Sequence, residues 1–481
     1  MAIGSLTFVV FALLAVLVLH GVRPGVARDL AVAAANLMFL ASFVATPIEA
    51  VPLLSFVALG YFAVWAASRR GEQKAIGLIV VAVVASFVWI KQYTIVAALP
   101  RLAFAYASIG LSYVLFRVVH LIVDVGQGAV RRPRPLEYLN YTLFFPTFVS
   151  GPIQRFQDFH EMQRNPRPLA SADLDAAIRR IVRGFVLLLV LAPLLSAAAT
   201  DWQSRLYGGL SGERWSYASV GFAAAAAIYA GYLFVNFSGY MDIVIGVARL
   251  IGHVLPENFN RPGSSTNLLD LWSRWHMTLS EWFKIYLFNP LTKGLARRWG
   301  DRVSMATLGA LAYFTTFCTM GVWHGSTPIF LLYGLMLGAG VAGNRLWQAA
   351  AQRHLGRSGY RALCQRSWYQ DLSRASALAY FSVALSCLWI DPAKSENLLR
   401  PAGVSSLAAA LALLTLVLMA LCGAKRLAAP ILERHRSRVS GLLPRFESPA
   451  WTAGFVFTAT IAVAFAVGQS GTSGGIVYQG Y

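Results

Sequence analysis

Long apolar runs separated by short polar stretches dominate the chain from end to end. A bilayer core requires roughly 20 mostly apolar residues per helical crossing. Runs of that kind occupy residues 5–22, 30–47, 51–68, 75–91, 102–123, 179–199, 216–236, 303–323, 328–347, 375–391, 404–423 and 451–468. The pattern predicts an all-α polytopic membrane protein with about twelve crossings. The string MAIGSL offers no positively charged region ahead of the first run, so that run reads as a retained span rather than a secretory signal.

Composition agrees, with 57% hydrophobic and 13% charged residues over 481 positions. The formal net charge of +20 raises nucleic acid as a partner, but the basic residues fall between apolar runs and on no single face, so none is expected. They read as topology signals, because loops rich in Lys and Arg stay cytoplasmic. Such loops lie at 69–74, 131–135, 293–302, 345–374 and 425–438, and an extracytoplasmic N-terminus places all of them inside. Residues 217–253 hold nearly two apolar runs but must make one net crossing, which predicts a bent or re-entrant segment around 236–246. The chain is expected to sit in a membrane, in contact with its lipids.

Two histidines carry the candidate chemistry, since an ionisable group at membrane depth marks a functional site. On a helix at about 100° per residue, 268–287 places Leu269, Trp272, Leu279 and Phe283 around His276, with Asp270, Arg274, Thr278, Glu281 and Lys284 opposite. This predicts one amphipathic helix with Trp272, Trp275 and Trp282 at headgroup level. For His276 the spacing supports two readings equally, a buried structural histidine and a proton-handling group in a reaction chamber. His324 ends an apolar run in MGVWHGSTPIF, where Gly321 and Gly325 leave room for a substrate. Ser326 or Thr327 suits an N-cap and Pro328 a first helical position, so a helix N-terminus with free N–H groups is expected near the imidazole.

Cys318, Cys364, Cys387 and Cys422 show no metal-ligand spacing and read as packing residues; no metal site is expected. With no GxSxG elbow and no paired carboxylates beside the histidines, the remaining chemistry is general base catalysis. A neutral imidazole takes the proton of a hydroxyl as that hydroxyl attacks an activated acyl group.

Four blocks together carry a family resemblance: FFPTFVSGPIQRFQDF (144–159), FVNFSGYMDIVIG (234–246), LPENFNRPGSSTNLLDLWSRWHMTLSEWFKIYLFNPL (255–291) and GVWHGSTPIFLLYGL (321–335). This ensemble resembles the membrane-bound O-acyltransferase (MBOAT) family, in its bacterial branch of alginate O-acetylation and teichoic-acid D-alanylation proteins. The ending GGIVYQGY is similar to the aromatic tail found there. Lys284 and Ile285 stand where many relatives have an Arg-Asp pair.

The resemblance implies a ring of about 11 to 13 helices with re-entrant segments around a central tunnel. It implies His324 as the catalytic histidine and His276 as the second histidine of the chamber. Trp323, Ser326, Thr327, Trp272 and Trp275 are the candidate substrate- or tunnel-lining residues beside them. Asn236 joins them from the block at 234–246, and Ser150, Gly151, Pro152 and Arg155 from a re-entrant wall at 144–159, with Arg155 placed to contact donor phosphate. No tightly bound cofactor is implied. The donor is an acyl-CoA or a thioester on a phosphopantetheine carrier protein, supplied from the cytoplasm. The acceptor is an extracytoplasmic polysaccharide or cell-wall polymer, reached with an accessory acyl-transfer protein.

Acetyl is the expected acyl group and D-alanyl the alternative; a proton-coupled transporter or exporter is the rival of another class. The simplest division is one membrane domain over 1–481, with N-terminal spans at 1–137, a catalytic core at 138–345, and a basic loop and C-terminal spans at 346–481.

Overall fold

The structure, a computed structural model, describes residues 1–102, 104–106, 108–209, 215–390 and 402–439. The expected span at 451–468 and the aromatic tail lie outside the described residues. Within them the chain is helical, with no strand.

The N-terminal part runs α1 (Leu6–Gly21), α2 (Val26–Ala41), α3 (Pro47–Arg70), α4 (Gln73–Ile90) and α5 (Leu111–Gly126). Short helices α6 (Pro135–Thr142), α7 (Phe145–Phe148) and α8 (Phe156–Arg164) follow. Next, α9 (Ser171–Val186) passes through a π-turn at Leu187–Leu191 into α10 (Ala192–Gly209). After α11 (Trp215–Leu250) come α12 (Leu268–Trp272), α13 (Met277–Phe283), a second π-turn at Lys284–Phe288, and α14 (Asn289–Trp299). The C-terminal part contains α15 (Met305–His324), α16 (Pro328–Gln365), α17 (Ser367–Leu385) and α18 (Ala402–Val439).

Seven helices among the described residues are long and apolar enough to cross a membrane: Pro47–Arg69, Gln73–Ile90, Ser171–Tyr207, Ser219–Leu250, Met305–His324, Pro328–Gln365 and Ser405–Pro430. Several other expected spans are shorter. The run at 102–123 becomes helical only at Leu111, behind Gly110 at φ 78°, where an added Cβ would lie 2.6 Å from the Phe148 ring. The resulting 16-residue α5 is buried along most of its length and carries Arg117 and His120 into the interior.

No bend exists at 236–246, contrary to expectation. The 36-residue α11 is continuous, and its length absorbs the second apolar run. It ties the core together: Phe222, Ala223 and Ala226 pack with Ala379, Val383 and Leu414, and Tyr229 and Leu233 with Phe317 and Phe381. Phe237 to Ile251 join the N-terminal cluster.

Where the chain leaves helical geometry at depth, polar side chains bind the exposed backbone. Arg117, 3% exposed, donates to the Thr142 and Thr147 carbonyls, each at 2.7 Å, and so fixes α7 against α5. Tyr141 donates to the Gln154 carbonyl at 2.7 Å. Non-helical backbone at membrane depth requires such partners; residues 144–159, expected as a re-entrant wall, form the short α7 and the start of α8 with a non-helical link between them.

Candidate active site

The segment around His276 is not one helix. Its periodicity is helical, yet α12 ends at Trp272 and α13 starts at Met277. Between them His276 adopts φ 44° and ψ 51°, the left-handed conformation that disfavours a side chain with a Cβ. Asn258 explains why the break is stable. Its backbone carbonyl accepts from Met277 N at 2.9 Å, and Asn260 N donates to the Arg274 carbonyl at 2.9 Å, so the preceding loop pairs with the broken turn. The Asn258 side-chain oxygen accepts from Thr278 N at 3.3 Å, from the Thr278 hydroxyl at 2.9 Å and from His276 Nδ1 at 3.1 Å. Because a backbone N–H can only donate, the Asn258 atom is its oxygen, and the His276 proton sits on Nδ1. Nε2 is left as a buried lone pair with no partner among the described residues.

The break also turns the tryptophans inward. Trp272 and Trp275 are buried, Trp272 tilted against Phe317 at 4.7 Å and Trp275 edge-on to Phe381 at 5.0 Å, so neither stands at headgroup level as one amphipathic helix required. Trp282 donates to the Phe116 carbonyl at 3.1 Å. Of the predicted polar face, the Asp270–Arg274 pair forms at 2.8 Å, while Thr278 is buried at the site.

His324 is the last residue of α15, buried, with its ring 4.7 Å from Trp323 and 5.6 Å from Tyr333. The two imidazoles lie within electrostatic reach of each other, and Phe237 of α11 stands edge-on to His276 at 4.9 Å. The flanking glycines do not open space for a substrate. A Cβ on Gly321 would lie 2.2 Å from Gly334 Cα, and one on Gly325 2.0 Å from the Phe330 ring. They permit α15 and α16 to cross in contact, and that crossing sets the position of His324.

The other expected residues divide into groups. Pro328 does begin α16, but neither Ser326 nor Thr327 caps it with a side chain; the Ser326 carbonyl accepts from Thr94 Oγ1 at 2.9 Å. Trp323 contributes an indole N–H without a partner among the described residues. Asn236, buried on α11, has a side-chain oxygen in the same condition. Ser150 is fully buried and bonded to the Tyr113 hydroxyl at 3.0 Å, Gly151 has no room for a Cβ beside Thr147, and Pro152 is buried. One residue further on, Ile153 N donates to Thr278 Oγ1 at 3.1 Å, joining this wall to the Asn258–His276 turn.

A cavity of about 660 Å³ lies beside this assembly. Trp272, Met277, Thr278, Phe317 and Met320 line its deep end, and each neighbours one of the histidine segments. Arg155, Asp158, Glu257, Glu281 and Lys284, all exposed, mark its charged side. Among the described residues no cluster of His, Cys, Asp or Glu could hold a metal ion, and the four cysteines are unpaired.

Sequence reading missed Asn258, Thr278, Arg117, His120 and Tyr286. Arg117 and His120 did leave a signal, as ionisable residues inside the apolar run at 102–123; Asn258, Thr278 and Tyr286 did not stand out from their surroundings.

The fold and site define a polytopic helical membrane protein with a histidine pair beside an interior cavity. The chain belongs to the membrane-bound O-acyltransferase family, whose profile matches residues 36–364. It is similar to a teichoic acid D-alanyltransferase of Streptococcus thermophilus, 31% identical over 272 residues, which is 55% of this chain and 64% of that protein. A Bacillus subtilis teichoic acid D-alanyltransferase is 34% identical over 237 residues, covering 47% of this chain and 56% of its own length. A probable alginate O-acetylase of Pseudomonas fluorescens is 30% identical over 238 residues, 49% of this chain and 44% of that protein. The matched region thus spans less than two thirds of each of these relatives.

Proposed function

We propose that the chain transfers a short acyl group, acetyl in the first instance, from a cytoplasmic thioester to a hydroxyl of an extracytoplasmic polymer. The observation that carries this reading is the buried histidine pair beside a cavity that is apolar at depth and charged at its other side. Family membership and the names of the relatives support acyl transfer to an envelope polymer.

In this reading the donor's pantetheine arm enters from the charged side, and the thioester carbonyl comes to rest between the imidazoles. His324 takes the proton of the acceptor hydroxyl as its oxygen attacks the carbonyl; the tetrahedral intermediate collapses to an ester and a thiolate, which takes up the proton. The Nε2 lone pair of His276 accepts a hydrogen bond from a substrate O–H or N–H, which orients that group. The unpartnered Trp323 indole N–H donates to the developing oxyanion.

In this reading the charged side faces the cytoplasm and the N-terminus the outside of a bacterial inner membrane, an orientation that the distribution of basic loops supports. The acceptor at His324 is either the polymer itself or an accessory acyl-transfer protein. D-alanyl transfer from a carrier protein is the second reading, favoured by the two D-alanyltransferase relatives.

Membranes carrying the protein, given acetyl-labelled CoA or D-alanyl-labelled carrier protein, decide between the two donors. Alkali-labile label in the envelope polymer from acetyl-CoA supports the first reading; label only from the carrier replaces it with the second.

A further inference from the structure

A second polar constellation on the cavity wall is not used by the transfer step. The Phe156 backbone N–H donates to His120 Nε2 at 3.1 Å, so the His120 proton resides on Nδ1, 2.6 Å from the Tyr286 hydroxyl. Tyr286 donates onward to Asp124 Oδ1 at 3.1 Å, and Gln157 donates to Asp124 Oδ2 at 3.3 Å. Every direction is forced, because the chain begins at a backbone N–H, which only donates, and ends at a carboxylate, which only accepts. His120 is 2% exposed, and both His120 and Tyr286 line the cavity. The bonds connect three parts distant in sequence: α5, the start of α8, and the π-turn at Lys284–Phe288, a helical irregularity common at functional sites.

Arg155, the residue before Phe156, is exposed on the charged side of the cavity. Its side chain forms no hydrogen bond or ion pair among the described residues, and its charge reaches both His120 and Tyr286. The neighbouring charges are otherwise engaged, Lys284 with Glu281 at 3.2 Å and Glu257 with Arg180 at 2.5 Å; Asp158 lines the same region one turn along α8. An uncommitted guanidinium beside an apolar cavity suits a phosphorylated ligand with a long neutral arm.

We propose that His120, Tyr286 and Asp124 form a positioning relay that holds Arg155 at the cavity's charged side, where it recognises the phosphate of a phosphopantetheine-type thioester donor. This rests on the acyl-transfer reading. The three residues touch no reacting atom; they act through Phe156 on the direction of Arg155.

The test uses full-length protein in detergent with a hydroxyl acceptor and either S-acetyl-4′-phosphopantetheine or S-acetyl-pantetheine, following free thiol. The wild type is expected to favour the phosphorylated donor by about tenfold in kcat/KM, carried by KM, the scale of one charge-assisted hydrogen bond. Tyr286→Phe and Asp124→Asn should each reduce the preference to about twofold while leaving turnover of the unphosphorylated donor in place, which also reports that the variants are folded. Arg155→Gln should abolish the preference, and adding Tyr286→Phe to it should have no further effect on it. Retention of the wild-type preference in Tyr286→Phe and Asp124→Asn overturns the relay alone. Equal loss with both donors shows a structural role and likewise overturns it. No thiol from the wild type with either donor overturns the acetyl-transfer reading, and the relay with it.

Discussion

The two histidines are held in opposite ways. His324 ends a regular helix, and backbone-to-backbone contact between α15 and α16 at Gly321 and Gly334 fixes its position. His276 sits on a left-handed residue in a broken segment and is oriented by one amide, Asn258, which accepts three hydrogen bonds. One position is set by packing, the other by a polar clasp. The clasp fixes the tautomer of His276 and directs its Nε2, whereas the packed helix end fixes where the His324 imidazole stands.

Removal of the base should have the largest effect. His324→Ala is expected to lower acyl transfer by about 10²- to 10⁴-fold with little loss of folded protein, since general base catalysis contributes on that scale. His276→Ala should cost less, about 10- to 100-fold, and should destabilise the turn as well. Equal losses in rate and equal melting temperatures for the two variants would erase the distinction between them.

Next in size is a change in the packed region. Gly321→Ala places a methyl 2.2 Å from Gly334 Cα, with backbone rather than a flexible side chain as the obstacle. The helices must separate, at about 1–3 kcal/mol. Thermal melting in detergent should drop by several degrees, with activity falling as His324 shifts. An unchanged melting point would show that the crossing is looser than the contact implies.

The clasp predicts a finer effect. Asn tolerates the left-handed region better than Ala, so His276→Asn should melt higher than His276→Ala by about 1 kcal/mol in stability. A variant series in which Ala is the more stable would remove backbone conformation from the account.

The smallest expected effect lies away from the site and is a pH dependence. Burial of Glu137 works to raise its pKa, but hydrogen bonds from Arg131, from the Arg134 backbone N–H and from Arg164 hold the carboxyl down at about 2. A depressed folded-state pKa adds stability above the unfolded carboxylate value of about 4.3, and that stability is lost as pH falls from there toward 2. Glu137→Gln should therefore lower the melting temperature at pH 7 and lower it less at pH 3. A constant difference between the two pH values would contradict it.

The contrast between the two regions also explains what the sequence revealed. Around His324, hydrophobic period, the glycines and Pro328 all specify regular helices, and the boundary at Pro328 is where the pattern places it. The two glycines were visible but misread, because close helix contact and open space require the same missing Cβ. Around His276 the helical period is real but does not decide the backbone. Asn258 and Asn260 pair with the chain at Arg274 and Met277, and no property local to residues 268–287 reports that distant competition. The continuous α11 is the reverse case: an apolar run long enough for two spans requires no bend when one long helix can bury each stretch of it in a different cluster. His120 was visible as an ionisable residue inside the apolar run at 102–123, but its link to Tyr286 was not, because the two are far apart in sequence.

The central claim is that the histidine pair acts on a thioester, and free-thiol release by the purified protein tests it most directly. Acetyl-CoA or a D-alanylated carrier protein, each supplied with hydroxyl acceptor, should yield thiol from the wild type and none above background from a folded His324→Ala variant. Thiol release that persists undiminished in His324→Ala, or none from the wild type with either donor, would contradict the account.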